Sequence, residues 1–149
     1  MKVVSIVTNN LINDARVLKT CKSLINHGFL VHILALYNDG LTASENIDGI
    51  LVTRLKLITK NWSKLKPIQL IKYLEFVLKA SIKNINRYDV IHCNDLDTLP
   101  IGYLIKVLSK NNVSIVYDAH EYETERDGMN IFVKILLRFF ERHLIKHAK

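Results

Sequence analysis

What most restricts the folding of this chain is a regular exchange between two periodicities. Short runs rich in β-branched residues occur at Lys2–Thr8, Leu30–Leu36, Ile50–Leu57, Asp89–Cys93 and Val113–Tyr117. Between them lie stretches whose apolar residues recur every three or four positions. The first kind reads as strands and the second as amphipathic helices. The third strand (ILVTRLKL) alternates apolar and polar residues, which places it nearer a sheet edge.

Helix boundaries follow from capping chemistry. Asn13 reads as an N-cap with Asp14 in the first turn, and Gly28 after His27 as the stop. Val17, Leu18, Cys21, Leu24 and Ile25 form the apolar face between them. Asn38-Asp39-Gly40 marks a turn. Pro67 suits the first turn of a helix running from Ile68 to about Asn86, with Leu70, Ile71, Leu74, Val77, Leu78 and Ile82 on its apolar side. Further helices are predicted from about Asp97 to Lys110 and from Met129 to Lys146. Strands alternating with helices and joined by right-handed crossovers give an α/β domain over 1–149. Its core is a Rossmann-like parallel sheet of order 3-2-1-4-5.

Composition narrows the function. With 149 residues, 49% of them apolar, the chain can bury a core. Cys21 and Cys93 do not make a disulfide framework and fit a reducing, cytoplasmic setting. No apolar run reaches the roughly 18 residues a membrane span needs. The short run at Met1–Val7 lacks the features of a signal peptide. No G-x-G-x-x-G follows the first strand, and five glycines are too few to favour a dinucleotide site. The net charge of +7 is local: nine basic residues and one acid, Glu75, lie between Arg54 and Arg87. That segment points to a basic surface facing an anionic partner.

In an open parallel sheet, ligands sit beyond the carboxyl ends of the strands. Here those ends are Thr8-Asn9-Asn10, Asn94-Asp95 and Asp118-Ala119-His120-Glu121, all polar. A helix N-terminus beside Asn9, Asn10 and Asp14 offers N–H groups to an anion, and Arg16 adds a fork suited to phosphate. The competing reading is a capped helix with an exposed ion pair. Asp95 and Asp97 form a D-x-D that can hold a metal or cap a helix, and capping explains it more cheaply, so no metal is assigned. His92 lies inside a strand and reads as a packed core residue. Glu121 and Asp118 flank His120 and either orient its ring or cap the following loop.

Two stretches resemble the N-terminal domain of retaining GT-B glycosyltransferases of family 4. One runs from Asn13-Asp14-Ala15-Arg16-Val17-Leu18-Lys19 through Leu24, Gly28 and Val31. The other is Tyr88-Asp89-Val90-Ile91-His92-Cys93-Asn94-Asp95 with Thr98-Leu99-Pro100 and Gly102, followed by Val116-Tyr117-Asp118-Ala119-His120-Glu121. Two departures stand out. The loop after the first strand, Asn9-Asn10-Leu11-Ile12, lacks the glycines many relatives carry, and Asn94 stands where many have a second His. The resemblance implies a sugar transferred from a nucleotide-sugar donor to a glycan or lipid-linked acceptor, without a further cofactor. It implies His120 beside the reacting sugar as catalytic residue, with Asn9, Asn10, Asp14, Arg16, Asn94, Asp95 and Glu121 lining the donor or acceptor site. The donor-binding C-terminal domain would follow Lys149. The chain then reads as the acceptor-side half, a fragment or split-enzyme subunit inactive alone.

Many such acceptors are anionic and membrane-bound. Lys60, Trp62, Lys64 and Lys66 mix cations with an interfacial aromatic and are the expected contacts to the inner face of a membrane. The last helix carries a basic stripe at Lys134, Arg138, Arg142 and Lys146, read as the solvated face of a core helix. The competing function is a basic module without catalysis, binding a membrane surface or nucleic acid. No nucleic-acid motif supports the latter, and the aromatics form no stacking platform.

Overall fold

The computed structural model describes residues 1–12, 14–110, 112–119, 138–139 and 141–148. Five strands lie parallel: β1 (Lys2–Ile6), β2 (Leu30–Leu36), β4 (Ile50–Leu55), β5 (Val90–Asn94) and β6 (Ser114–Asp118). Their order is the expected one, with one strand added. The sheet reads β3-β4-β2-β1-β5-β6, and β3 (Ser44–Ile47) pairs antiparallel with β4 at the edge. The added hairpin turns on Asp48 and Gly49, both at positive φ (51° and 86°), and the Gly49 N–H donates to Asn46 Oδ1 at 2.8 Å. Asp-Gly between two short runs is a hairpin signal in its own right. The polar sequence of β3 (SENI) hid it.

One face of the sheet carries α2 (Lys66–Asn84) and α3 (Leu99–Leu108); the other carries α1 (Ala15–Asn26). Alternation sorts the strands between them. Val4, Ile6, Ile91, Cys93 and Ile115 face the larger core, while Val7, Ile33, Ala35 and Val52 face α1. Gly102 lets α3 settle closely, because a Cβ there would stand 2.6 Å from Cys93 Sγ. Residues 138–139 and 141–145 are helical, and Leu144 joins the larger core.

Three expectations need correction. The N-cap of α1 is Asp14, whose carboxylate accepts from the Val17 N–H at 3.3 Å; Asn13 lies outside the described residues. Arg54 is not part of a basic surface. It is 4% exposed, and its guanidinium bonds Asn10 O, Thr42 O and Glu45. The third correction concerns the face of α2. Tyr73, Phe76, Val77 and Ala80 pack on the sheet, whereas Leu70, Ile71, Leu74, Leu78 and Ile82 are exposed. The leucine row is the more apolar, yet the buried side is the one that carries Phe76, Val77, Ala80, Ser81 and Asn84. Ser81 and Asn84 are buried without cost in unpaired polar atoms, since they donate to Val77 O and Ala80 O one turn back.

The loop between β4 and α2 is fastened by one carboxylate. Glu75 accepts from the N–H groups of Ile58 and Thr59 and from the Thr59 hydroxyl, and pairs with Lys79 at 2.7 Å. Desolvation alone would raise its pKa. The donors of Lys79, Thr59 and Ile58 outweigh that and bring it from 4.5 down to about 2. A carboxyl more acidic in the folded state contributes stability that is present above its unfolded pKa and lost as pH falls towards the folded one. Glu75→Gln is therefore expected to cost about 1–2 kcal/mol at neutral pH. Its acid limb, followed by circular dichroism between roughly pH 4.5 and 2, should also be shallower than that of the native chain. Identical acid limbs would show that the carboxylate does not fasten this loop.

Candidate functional site

The carboxyl ends of β1, β2 and β4 open into a cavity of about 560 Å³ closed on one side by the first half of α2. Thr8, Asn9 and Asn10 reach it from β1, and Leu36, Tyr37 and Asn38 from β2. Leu57 and Lys60 come from the segment after β4, and Gln69, Lys72, Tyr73 and Phe76 from α2. Its wall alternates apolar surface with amide, hydroxyl and ammonium groups, the mixture expected of a site for a polar small molecule.

Its charge is positive. The ammonium of Lys56 lies 4.4 Å and that of Lys60 5.1 Å from the centre of the Tyr37 ring. Lys60 Nζ is 2.8 Å from Asp39, and Lys72 Nζ donates to Lys60 O and Trp62 O at 2.9 Å each. Asp39 is the one carboxylate among these contacts. Tyr73 donates to Asp97 O at 2.9 Å, and burial, reinforced by the charge of Asp97, pushes its phenol up to about 12.

The loop Asn9–Ile12 turns sharply at the rim. Leu11 takes φ 66°, a left-handed conformation that costs an L-residue roughly 1–2 kcal/mol. This is the position at which a glycine would fit. Burial of the Leu11 side chain (2% exposed) holds it instead, and Asn9 Oδ1 and Asn10 Oδ1 accept from the N–H groups of Leu11 and Ile12. Arg54 secures the loop from below through Asn10 O at 3.1 Å.

Beside the cavity, at the junction of β1 and β5, sits an ionic cluster. Arg16 bridges Asp95 at 3.3 Å and Asp118 at 3.4 Å, with Asp14 at 4.0 Å, and Asn9 donates to Asp14 at 2.8 Å. Residues as far apart in sequence as Asp14 and Asp118 thus meet where the sequence placed a site. A ligand anion reaching Arg16 would compete with three carboxylates. Asp95 adopts φ 72°, and its Oδ1 is buried without a hydrogen-bond partner among the described residues. Neither acid of the D-x-D caps α3. Asp97 accepts from Thr8, and the cap position belongs to Thr98.

The other expected residues scatter. Asn94 is buried inside the sheet, its amide donating to Ser5 Oγ at 2.8 Å and Ile6 O at 3.0 Å. His120 and Glu121 lie outside the described residues. Of the basic group, Lys60 turns towards the cavity, while Trp62, Lys64 and Lys66 are exposed. The sequence reading missed Tyr37, Gln69 and Tyr73, and had Lys72 only as one of the basic residues between Arg54 and Arg87; Thr8 it placed at the polar end of the first strand. Tyr37 directly follows the second strand, so the rule applied to the first and fourth strand tips would have found it.

Several reactive groups are silenced by burial. Desolvation raises the thiol of Cys21 to about 11 and that of Cys93 to about 12, so neither is a nucleophile near neutrality. Burial lowers His32 to about 4, leaving a neutral ring between Tyr88 and Thr53, and it lowers His92 as well. Among the described residues no group of three His, Cys, Asp or Glu is placed to hold a metal, and no helix is long and apolar enough to cross a membrane.

A mostly parallel sheet, helices on both faces and a polar cavity at the tips of its central strands define a Rossmann-like ligand-binding domain. Residues 5–147 match the family model described as glycosyl transferase 4-like, and the chain belongs to that family. It is similar in fold to sucrose-phosphate synthase from Thermosynechococcus elongatus, with a TM-score of 0.72 and 12% identity over 99% of this chain. A further structure of that enzyme aligns with a TM-score of 0.62 and 13% identity, covering 95% of this chain and 71% of the other. The chain spans 41% of the first of these structures, so it corresponds to part of a GT-B glycosyltransferase fold. No curated protein matches it.

Proposed function

We propose that this chain is the acceptor-binding half of a glycosyltransferase that moves a hexosyl unit from a nucleotide sugar to a glycan or lipid-linked acceptor, with retention of configuration. The observation that carries the reading is the cavity beside Asn9 and Asn10. Its amide, hydroxyl and ammonium groups suit the hydroxyls of a sugar, and its cations favour an acceptor bearing phosphate or carboxylate. The donor nucleotide rides on a second domain, and His120 works at the reacting sugar between the two, in the cytoplasm where such donors are made. The cluster of Asp14, Arg16, Asp95 and Asp118 braces the rim and positions the segment leading to His120. The same two-domain plan leaves the isolated 149 residues unable to transfer sugar.

Ligand-observed NMR tests this with glucose 6-phosphate, glucose and UDP-glucose as probes. Glucose 6-phosphate is expected to bind most tightly, and Gln69→Ala to weaken it about three- to ten-fold at unchanged thermal midpoint, the worth of one hydrogen bond. Binding of UDP-glucose through its uridine, tighter than either sugar, would assign this half to the donor instead.

A further inference from the structure

We propose that the outer face of α2 docks on an anionic lipid surface. Leu70, Leu74, Leu78 and Ile82 follow one another at steps of four, with Ile71 beside them, and all five are 43–68% exposed. Such a row forms a continuous ridge along one side of a helix, here about 18 Å long at 1.5 Å per residue. No described element covers it. An apolar ridge of this length on a helix whose opposite side is already packed on the sheet is more than the scattered exposed leucine of an ordinary surface.

Charge selects the occupant. Lys64 and Lys66 are exposed at the start of the helix, and Lys83 and Arg87 at its end, so cations bracket the ridge. The only acid between Asn61 and Tyr88 is Glu75, and its carboxylate is committed to Ile58, Thr59 and Lys79. Trp62, 50% exposed, precedes the helix where an amphipathic ring would sit at the headgroup level. A second protein would have to match both the ridge and its ring of cations. An anionic bilayer offers apolar depth and negative headgroups together, with the helix lying in the interface plane.

The proposal differs from a purely basic contact. Arg54, Lys60, Lys72 and Lys79 are turned inward or bonded to protein atoms, so fewer cations face outward than the sequence count suggests. The ridge carries the binding and the remaining cations choose the lipid. Gln69, Lys72 and Tyr73 of the same helix line the cavity, so docking would hold the cavity near the lipid surface.

Vesicle flotation of the 149-residue chain decides the matter. Vesicles of phosphatidylcholine with phosphatidylglycerol are compared with phosphatidylcholine alone. Binding is expected on the anionic vesicles only, weakened several-fold by raised salt. Leu74→Glu with Leu78→Glu should reduce it at least about ten-fold. Lys64→Gln with Lys66→Gln should reduce it several-fold. Both pairs are exposed, so circular dichroism and thermal midpoint should be unchanged. No flotation, equal flotation on neutral vesicles, or flotation indifferent to the leucine substitutions would each overturn the proposal. So would self-association abolished by those substitutions without lipid binding, which would give the face to a second copy. Flotation is read without any sugar present, so its failure leaves the acceptor reading to be judged by the NMR titration alone.

Discussion

Arg54→Met is expected to lower the unfolding free energy by about 3 kcal/mol. The guanidinium is 4% exposed and joins three pieces of chain: Asn10 after β1, Thr42 before β3, and Glu45 within β3. Methionine fills much of the volume, so the loss comes from hydrogen bonds rather than from a cavity. Two carbonyls lose a charged donor, and Glu45, about one-third exposed, turns to water. Urea unfolding should show a lower midpoint at unchanged slope. The binding of glucose 6-phosphate that the proposed function expects should weaken as well, because Asn10 loses its anchor. A shift below about 1 kcal/mol would mean that the three bonds merely replace equally good bonds to water.

The second large effect is at Leu11. Leu11→Ala is expected to cost about 3 kcal/mol, since a wholly enclosed side chain leaves a cavity between β1, α1 and β2. Glycine gives the sharper test. In an ordinary segment glycine is worse than alanine by about 0.5–1 kcal/mol. At φ 66° the order should reverse, because glycine sheds the left-handed penalty that alanine keeps. Leu11→Gly should therefore be no less stable than Leu11→Ala and up to about 1 kcal/mol more so. The comparison is read from the same urea curves. Glycine coming out below alanine would show that the loop relaxes its backbone once the side chain is gone.

These residues also show how far the sequence could be read. The glycine-free loop Asn9–Ile12 was visible as a departure from relatives, yet nothing local said that Leu11 would take a glycine's conformation. That follows from the core it joins, which gathers Val7 just after β1, Val17 of α1 and Ile33 of β2. Arg54 and Lys60 counted as surface charge because a sequence carries no partners. Their carbonyls and carboxylates come from Asn10, Thr42, Glu45 and Asp39, which only the folded sheet brings near. The cluster of Asp14, Arg16, Asp95 and Asp118 was partly legible, since all four stand at strand ends or at a helix start, where a parallel sheet gathers its polar groups.

The sequence by itself determined the alternation of strands and helices, the order of the five parallel strands and the carboxyl ends of the strands as the place where polar groups gather. Those depend on period, on turn chemistry and on the handedness of crossovers, all of which are local or generic. Tertiary structure alone decided which side of α2 is buried. Both sides carry enough apolar residues to serve. The side carrying Phe76, Val77, Ala80, Ser81 and Asn84 is buried against the sheet and α3, and the leucine ridge is left outside. Close packing rewards fit between surfaces, and a fit between two surfaces is not written in either one alone.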